Sequence, residues 1–178
     1  MLKRHPHTPA HLFVDDTPYF ITSSTYDKRH LLAEPDLKTQ LLEMIKTNFQ
    51  SFNWQLDHWV ILDNHYHLLG VSRKGTDLPK IIGRTHYHSA ELIGATTHCE
   101  LPVWWNYWDY CPRNERDYLI RLNYLLMNPI KHGYVNNLHD YPFSSFHQLL
   151  ENEERETLVG QFHDYPEHKD LKIAEDEF

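Results

Sequence analysis

Two histidines separated by one residue, His65-Tyr66-His67, form the first pair in the chain whose types and spacing could do chemistry. On a strand, residues two apart point to the same face, so both imidazoles converge while Tyr66 points the other way. Neutral imidazole is a common metal ligand, and such a pair makes a two-ligand arm for a divalent cation. With 15 histidines among 178 residues, about one His-x-His pair arises by chance, and this chain has three. His5-Pro6-His7 sits in a terminus with no element to hold it. His86-Tyr87-His88 falls in a predicted helix, where a spacing of two splays the side chains about 200° apart. The pair at 65 and 67 alone combines the spacing with a rigid setting, although ordinary strand histidines would look the same.

A helix predicted over about Asn114–Asn128 supplies further groups. At about 100° per residue, Tyr118, Leu122, Leu125 and Leu126 cluster as its buried stripe, and Asp117, Arg121, Tyr124 and Asn128 fall on the opposite face. Tyr124 and Asn128 are four apart, one above the other. Turned toward a metal-bearing strand, they would suit a nucleophile and a third metal ligand. The same pattern also describes an amphipathic helix with a polar outer face, ended by Pro129.

Stepping outward to the elements that must position these groups, Thr17–Thr25 reads as a strand, followed by a loop at Asp27-Lys28-Arg29. A helix spans about Asp36–Phe52, with Leu37, Leu41, Leu42, Ile45 and Phe49 at helical spacing. Trp54–Leu62 and His65–Val71 are strands joined by an Asp63-Asn64 turn, which makes a hairpin. A second helix runs from Asp77 or Leu78 to Ile93 with Pro79 in its first turn. Trp104–Tyr110 is aromatic and reads as either strand or edge loop. The third helix starts at the Asn114 cap and stops before Pro129. The order strand–helix–strand–strand–helix–strand predicts an α+β fold: a ferredoxin-like antiparallel sheet (βαββαβ) with helices on one face and an extra C-terminal helix carrying the tyrosine.

Composition narrows the class. Hydrophobic residues make up 40% and charged residues 24%, enough for one core, and no apolar run approaches the ~20 residues a bilayer needs. The start lacks the apolar stretch of a secretory signal, and Cys99 and Cys111 match no zinc spacing; a cytoplasmic protein with reduced thiols is expected. The net charge of −8 is uneven. Residues 1–150 carry 14 Lys and Arg against 15 Asp and Glu, whereas residues 151–178 carry 3 against 10. The expected organisation is therefore one unit over 1–150 and an acidic C-terminal tail over 151–178, partly helical at Glu151–Leu158 and solvated at its end.

Asp63-Asn64-His65-Tyr66-His67-Leu68-Leu69 resembles the HuH motif of the single-tyrosine (IS200-like) transposases. The segments Trp105-Asn106-Tyr107-Trp108-Asp109, Arg113-Asn114-Glu115 and, most specifically, Tyr124-Leu125-Leu126-Met127-Asn128-Pro129-Ile130-Lys131-His132-Gly133 resemble blocks of its REP-associated tyrosine transposase branch. The likeness runs in consistent order from about residue 17 to 150. It implies metal-dependent cleavage and rejoining of single-stranded or hairpin DNA through a 5′-phosphotyrosine. By that resemblance Tyr124 would attack, and His65, His67 and Asn128 would hold a divalent metal, Mg²⁺ or Mn²⁺. Lys28, Arg29, Arg73, Lys74, Arg84, Arg113, Arg121 and Lys131 would be DNA-binding contacts to phosphate, and Trp104, Trp105, Tyr107 and Trp108 could stack on unpaired bases. The expected partner is DNA, without a membrane, and a homodimer is allowed. Asp63 departs from the family, which usually has proline there. With the acidic balance, such departures leave a second reading open, a catalytically silent, domesticated protein that binds DNA hairpins.

Overall fold

A strand, β1 (Pro18–Thr25), opens the fold and lies at the centre of its sheet. The computed structural model describes residues 11 and 13–173; His5-Pro6-His7 and the acidic ending from Glu175 lie outside them. After β1 come α1 (Pro35–Ser51), β2 (Gln55–Ile61), β3 (His65–Val71), α2 (Leu78–Thr97), β4 (Trp104–Tyr110), α3 (Glu115–Lys131), α4 (Phe146–Asn152) and α5 (Arg155–Asp164). The four strands form one antiparallel sheet in the order β2-β3-β1-β4, the α+β arrangement the pattern predicts. Trp104–Tyr110 is its edge strand, paired with β1. Among the described residues no helix is long and apolar enough to cross a membrane.

Alternation along the strands builds two cores. Tyr19, Ile21, Ile61, Tyr66 and Leu68 face α1 and α2, where they meet Leu41, Ile45, Phe49, Ile81 and Ile82. Phe20, Val60, Leu62 and Leu69 face the other way, against Leu122, Leu125 and Leu126 of α3. Each such side chain contributes about 1.5–3 kcal/mol when taken from water. β2 and β3 approach closely where Gly70 has no side chain: a Cβ there would lie 2.4 Å from the Gln55 carbonyl oxygen. β1 and β3 pair in a register that sets Thr22 opposite His67 and Ser24 opposite His65. The histidines therefore belong to the α3 face and Tyr66 to the α1/α2 face, as the strand spacing requires.

The third helix corrects one expectation. Its start is as expected, with Asn114 accepting the Asp117 N–H at 2.9 Å. Pro129 does not end it; α3 continues to Lys131 with Pro129 inside. A proline in the last turn removes one N–H, and the end is closed independently of it. Gly133, at φ +72°, donates to Ile130 O at 3.0 Å, and Tyr134 donates to Pro129 O at 2.9 Å. These two bonds form a Schellman cap, which satisfies carbonyls the proline cannot disturb. Nothing lies within 4 Å of a Cβ placed on Gly133, so Gly133→Ala should cost only the left-handed backbone penalty of about 1–2 kcal/mol. Thermal unfolding of that variant should fall by roughly 2–8 °C, and an unchanged midpoint would remove this account of the helix end.

Within the acidic stretch, residues 155–169 fold onto α3. Asn123 donates to Gln161 O at 3.1 Å and Tyr165 O at 3.3 Å, and accepts from Gln161 Nε2 at 2.6 Å. Leu158 and His168 are buried. α3 is thus covered on both sides, by the sheet and by this segment. The sheet buries Leu122, Leu125 and Leu126 together with Tyr124 and Asn128, which reach His67 and His65, while this segment covers Asn123.

Candidate active site

His65 and His67 enter the site from β3, and their rings are 5.1 Å apart at 75°. Both are fully buried. Asn64 holds the first of them. Its Nδ2 donates to the Lys28 carbonyl at 3.1 Å, which turns its Oδ1 to His65 Nδ1 at 2.7 Å. The neutral ring then carries its proton on Nδ1 and offers Nε2 as a lone pair. Thr22, opposite His67 in the sheet, has its hydroxyl 2.7 Å from His67 Nδ1. Anchoring at Nδ1 turns Nε2 of His67 toward the same site, as the nitrogen that could ligate a metal.

α3 brings the remaining groups. Asn128 Oδ1 lies 2.9 Å from His65 Nε2, so two lone-pair donors are directed at one place. A cation placed there would relieve that arrangement. Tyr124, 2% exposed, packs its ring edge-on to His67 at 5.5 Å and to Phe20 at 6.3 Å. The Lys131 ammonium donates to the Tyr124 hydroxyl at 2.7 Å. His132, one turn beyond Asn128, sets its ring 5.1 Å from that of His65. Burial, reinforced by the electrostatic influence of His65, the Lys131 ammonium and His67, pushes its pKa down to about 3, so it is neutral at physiological pH.

Two imidazole nitrogens and a carboxamide oxygen stand close enough that they could serve as a mixed nitrogen and oxygen donor set. Among the described residues there is no cluster of three or more His, Cys, Asp or Glu side chains that could hold a metal ion. Outer partners such as Asn64 orient ligating histidines. Asn64→Ala should weaken Mn²⁺ binding about 10–100-fold in a calorimetric titration, and an unaltered affinity would show that His65 needs no such anchor.

The basic residues named from the sequence divide by location. Lys28 lies in the turn that Asn64 grips. Arg121, one turn before Tyr124, lies over the Tyr110 ring at 3.6 Å and the Phe20 ring at 5.8 Å, with Asp117 at 3.4 Å. With Lys131, these stand nearest the histidines. Arg29 spends its guanidinium on the carbonyls of Tyr26, Glu100 and Pro102. Arg73 pairs with Asp16 at 2.7 Å and, with Lys74, follows the far end of β3. Arg84 lies over Phe52 on the α1/α2 side. Arg113, ahead of the α3 cap, is exposed. Of the tryptophans, Trp104 is buried against His86 and Tyr66, Trp105 is 36% exposed, and Trp108 helps line a cavity of about 210 Å³ beside Arg121.

Three contributors were not singled out from the sequence. Asn64 adjoins the motif but reads as a turn residue. Thr22 reads as a strand residue until register places it opposite His67. His132 has a signal, its four-residue spacing from Asn128, which the expected stop at Pro129 conceals.

A family model described as "Transposase IS200 like" matches residues 14–109, a span that contains both histidines and ends before Tyr124. The chain is 27% identical over 139 residues to the REP-associated tyrosine transposase of Escherichia coli, covering 76% of this chain and 80% of that one. It is 36% identical over 74 residues to a Haemophilus influenzae protein named for the same class, covering 39% of this chain and 36% of the other. A solved structure of a REP-associated tyrosine transposase bound to a REP hairpin is similar with a TM-score of 0.67 at 22% identity, covering 79% and 83% of the two chains. That likeness is one of fold.

Proposed function

The chain belongs to the IS200-like transposases, and from that premise we propose that it cleaves and rejoins single-stranded or hairpin DNA through Tyr124. The observation that carries this reading is a convergence on one buried spot. A single helix brings a phenol to 5.5 Å from the His67 ring and a carboxamide to 2.9 Å from His65. The overlap with REP-associated relatives supports hairpins of the REP type as the substrate class. The chemistry is assigned to residues 1–150, with 151–178 as an acidic appendage.

His65, His67 and Asn128 would hold Mg²⁺ or Mn²⁺. When bound, the cation supplies charge withdrawal from a non-bridging phosphate oxygen, without which the anionic diester resists attack. Asn64 and Thr22 keep the two rings turned for that task. Tyr124 attacks phosphorus, the bond to O3′ breaks, and the products are a 5′-phosphotyrosine and a free 3′-hydroxyl. The bond energy is kept, so rejoining by a 3′-hydroxyl needs no ATP. Burial of Tyr124 excludes water from the linkage and disfavours its hydrolysis. Lys28 and Arg121 flank the site as phosphate contacts, and their screening by salt predicts binding that weakens as salt rises.

The test is a covalent-adduct assay with labelled hairpin oligonucleotides carrying single-stranded flanks, in Mg²⁺ or Mn²⁺. A labelled protein band that disappears with EDTA is the expected result. A gel shift on the same oligonucleotides with no adduct would instead identify a hairpin-binding protein without turnover.

A further inference from the structure

By its charge Lys131 reads as a phosphate contact, yet its ammonium is directed at the protein. Nζ donates to the Tyr124 hydroxyl at 2.7 Å and stands 4.5 Å from the centre of the same ring. The two residues are seven apart, two turns along one face of α3, and they meet only because the helix runs through Pro129. We infer that Lys131 is a catalytic residue that acts on Tyr124, holding its oxygen in place and stabilising the negative charge that gathers there as the DNA bond is exchanged. The inference rests on the tyrosine chemistry proposed above.

The charge balance explains why the position matters. In cleavage the Tyr124–phosphorus bond forms and the phosphorus–O3′ bond breaks; the proton lost by the phenol is matched by one gained at O3′. In rejoining the phenol oxygen is the leaving group, and charge returns to it. A fixed ammonium beside that oxygen stabilises both transition states, because each passes through the same distribution of charge. Tyr124 is buried beside Phe20 and His67, where water cannot supply this stabilisation. A lysine serving as a phosphate contact would work differently. It would strengthen DNA binding uniformly and leave the rate on bound DNA unchanged.

The experiment compares the unaltered full chain with Lys131→Met and Lys131→Arg on one labelled hairpin in Mn²⁺. Hairpin Kd, its salt dependence and the single-turnover rate of adduct formation at saturating DNA are read together. Expected for Lys131→Met is a Kd within twofold of the unaltered protein and a rate at least tenfold lower, with both cleavage and rejoining slowed. Lys131→Arg, which keeps a cation at that place, should recover most of the rate. An unchanged rate in Lys131→Met overturns the inference. So does a weakened Kd and a salt slope shallower by about one, with the rate at saturation intact, since that is the signature of a phosphate contact. Absence of adduct from the unaltered protein would overturn the proposed function itself, and is seen before any variant is examined.

Discussion

Tyr124→Phe should abolish the covalent DNA adduct completely while leaving hairpin binding within about twofold of the unaltered protein. The substitution removes a single oxygen. The ring keeps its edge-on packing against His67 and Phe20, and the hydrogen bond lost is the one received from Lys131. Losing such a charge-assisted bond costs about 1.5–3 kcal/mol, too little to unfold a domain of this size. The neighbouring phenols offer no substitute. Tyr141 donates to the Ile61 carbonyl at 2.7 Å, and Tyr110 donates to the Asp117 carboxylate at 2.8 Å. Burial, with Asp57 nearby, raises the Tyr118 pKa well above the usual phenol range. An adduct that persisted in Tyr124→Phe would therefore mean that α3 does not supply the nucleophile. Gel electrophoresis under denaturing conditions decides it, with circular dichroism to confirm that the variant is folded.

Asp63→Ala should destabilise the protein by about 3–5 kcal/mol, because it strands a buried ammonium. Asp63 sits in the turn just before the histidine motif, and the structure gives its carboxylate a partner 25 residues away. Lys38 of α1 is buried, and its Nζ reaches Asp63 Oδ1 at 2.6 Å while lying 5.0 Å over the Phe143 ring. The turn is held by the backbone as well: Leu32 donates to Asp63 O and Thr25 donates to Asn64 O, both at 2.8 Å. Loss of the carboxylate leaves Lys38 charged without its counter-ion, with the Ala33 carbonyl only at the long distance of 3.5 Å. The double variant Asp63→Ala/Lys38→Met should recover much of the loss, as replacing both members of a buried pair commonly does. Urea unfolding gives both numbers. A loss below about 1 kcal/mol in the single variant would show that Asp63 is there for the turn alone.

Much of the site could be read locally. Period-two spacing placed His65 and His67 on one face of β3 and Tyr66 on the other, and the sheet keeps that division. Period-3.6 spacing placed Tyr124 and Asn128 together, and α3 presents both to that sheet face. The Asn114 cap is likewise a local device that the structure retains. Local rules misread the end of α3, where a proline disfavours helix in the residue before it but a Schellman cap further on closes the turn regardless. That error concealed the last turn, and with it the approach of Lys131 to Tyr124 and of His132 to His65.

The sequence by itself determined which residues share a face, because side-chain direction follows from the repeat of each element and nothing else. It determined the order of elements too, and so the class of sheet they could build. Only the tertiary structure decided what each face meets. The pairing of Thr22 with His67 depends on strand register, that of Lys38 with Asp63 on where α1 settles, and that of Asn128 with His65 on a helix crossing a sheet. The same holds for the charges. Arg29 and Lys131 read alike in the chain, but packing turns one onto backbone carbonyls and the other onto a phenol. Such contacts join residues far apart along the chain or across a helix end, where burial and hydrogen-bond satisfaction select partners that no local pattern encodes.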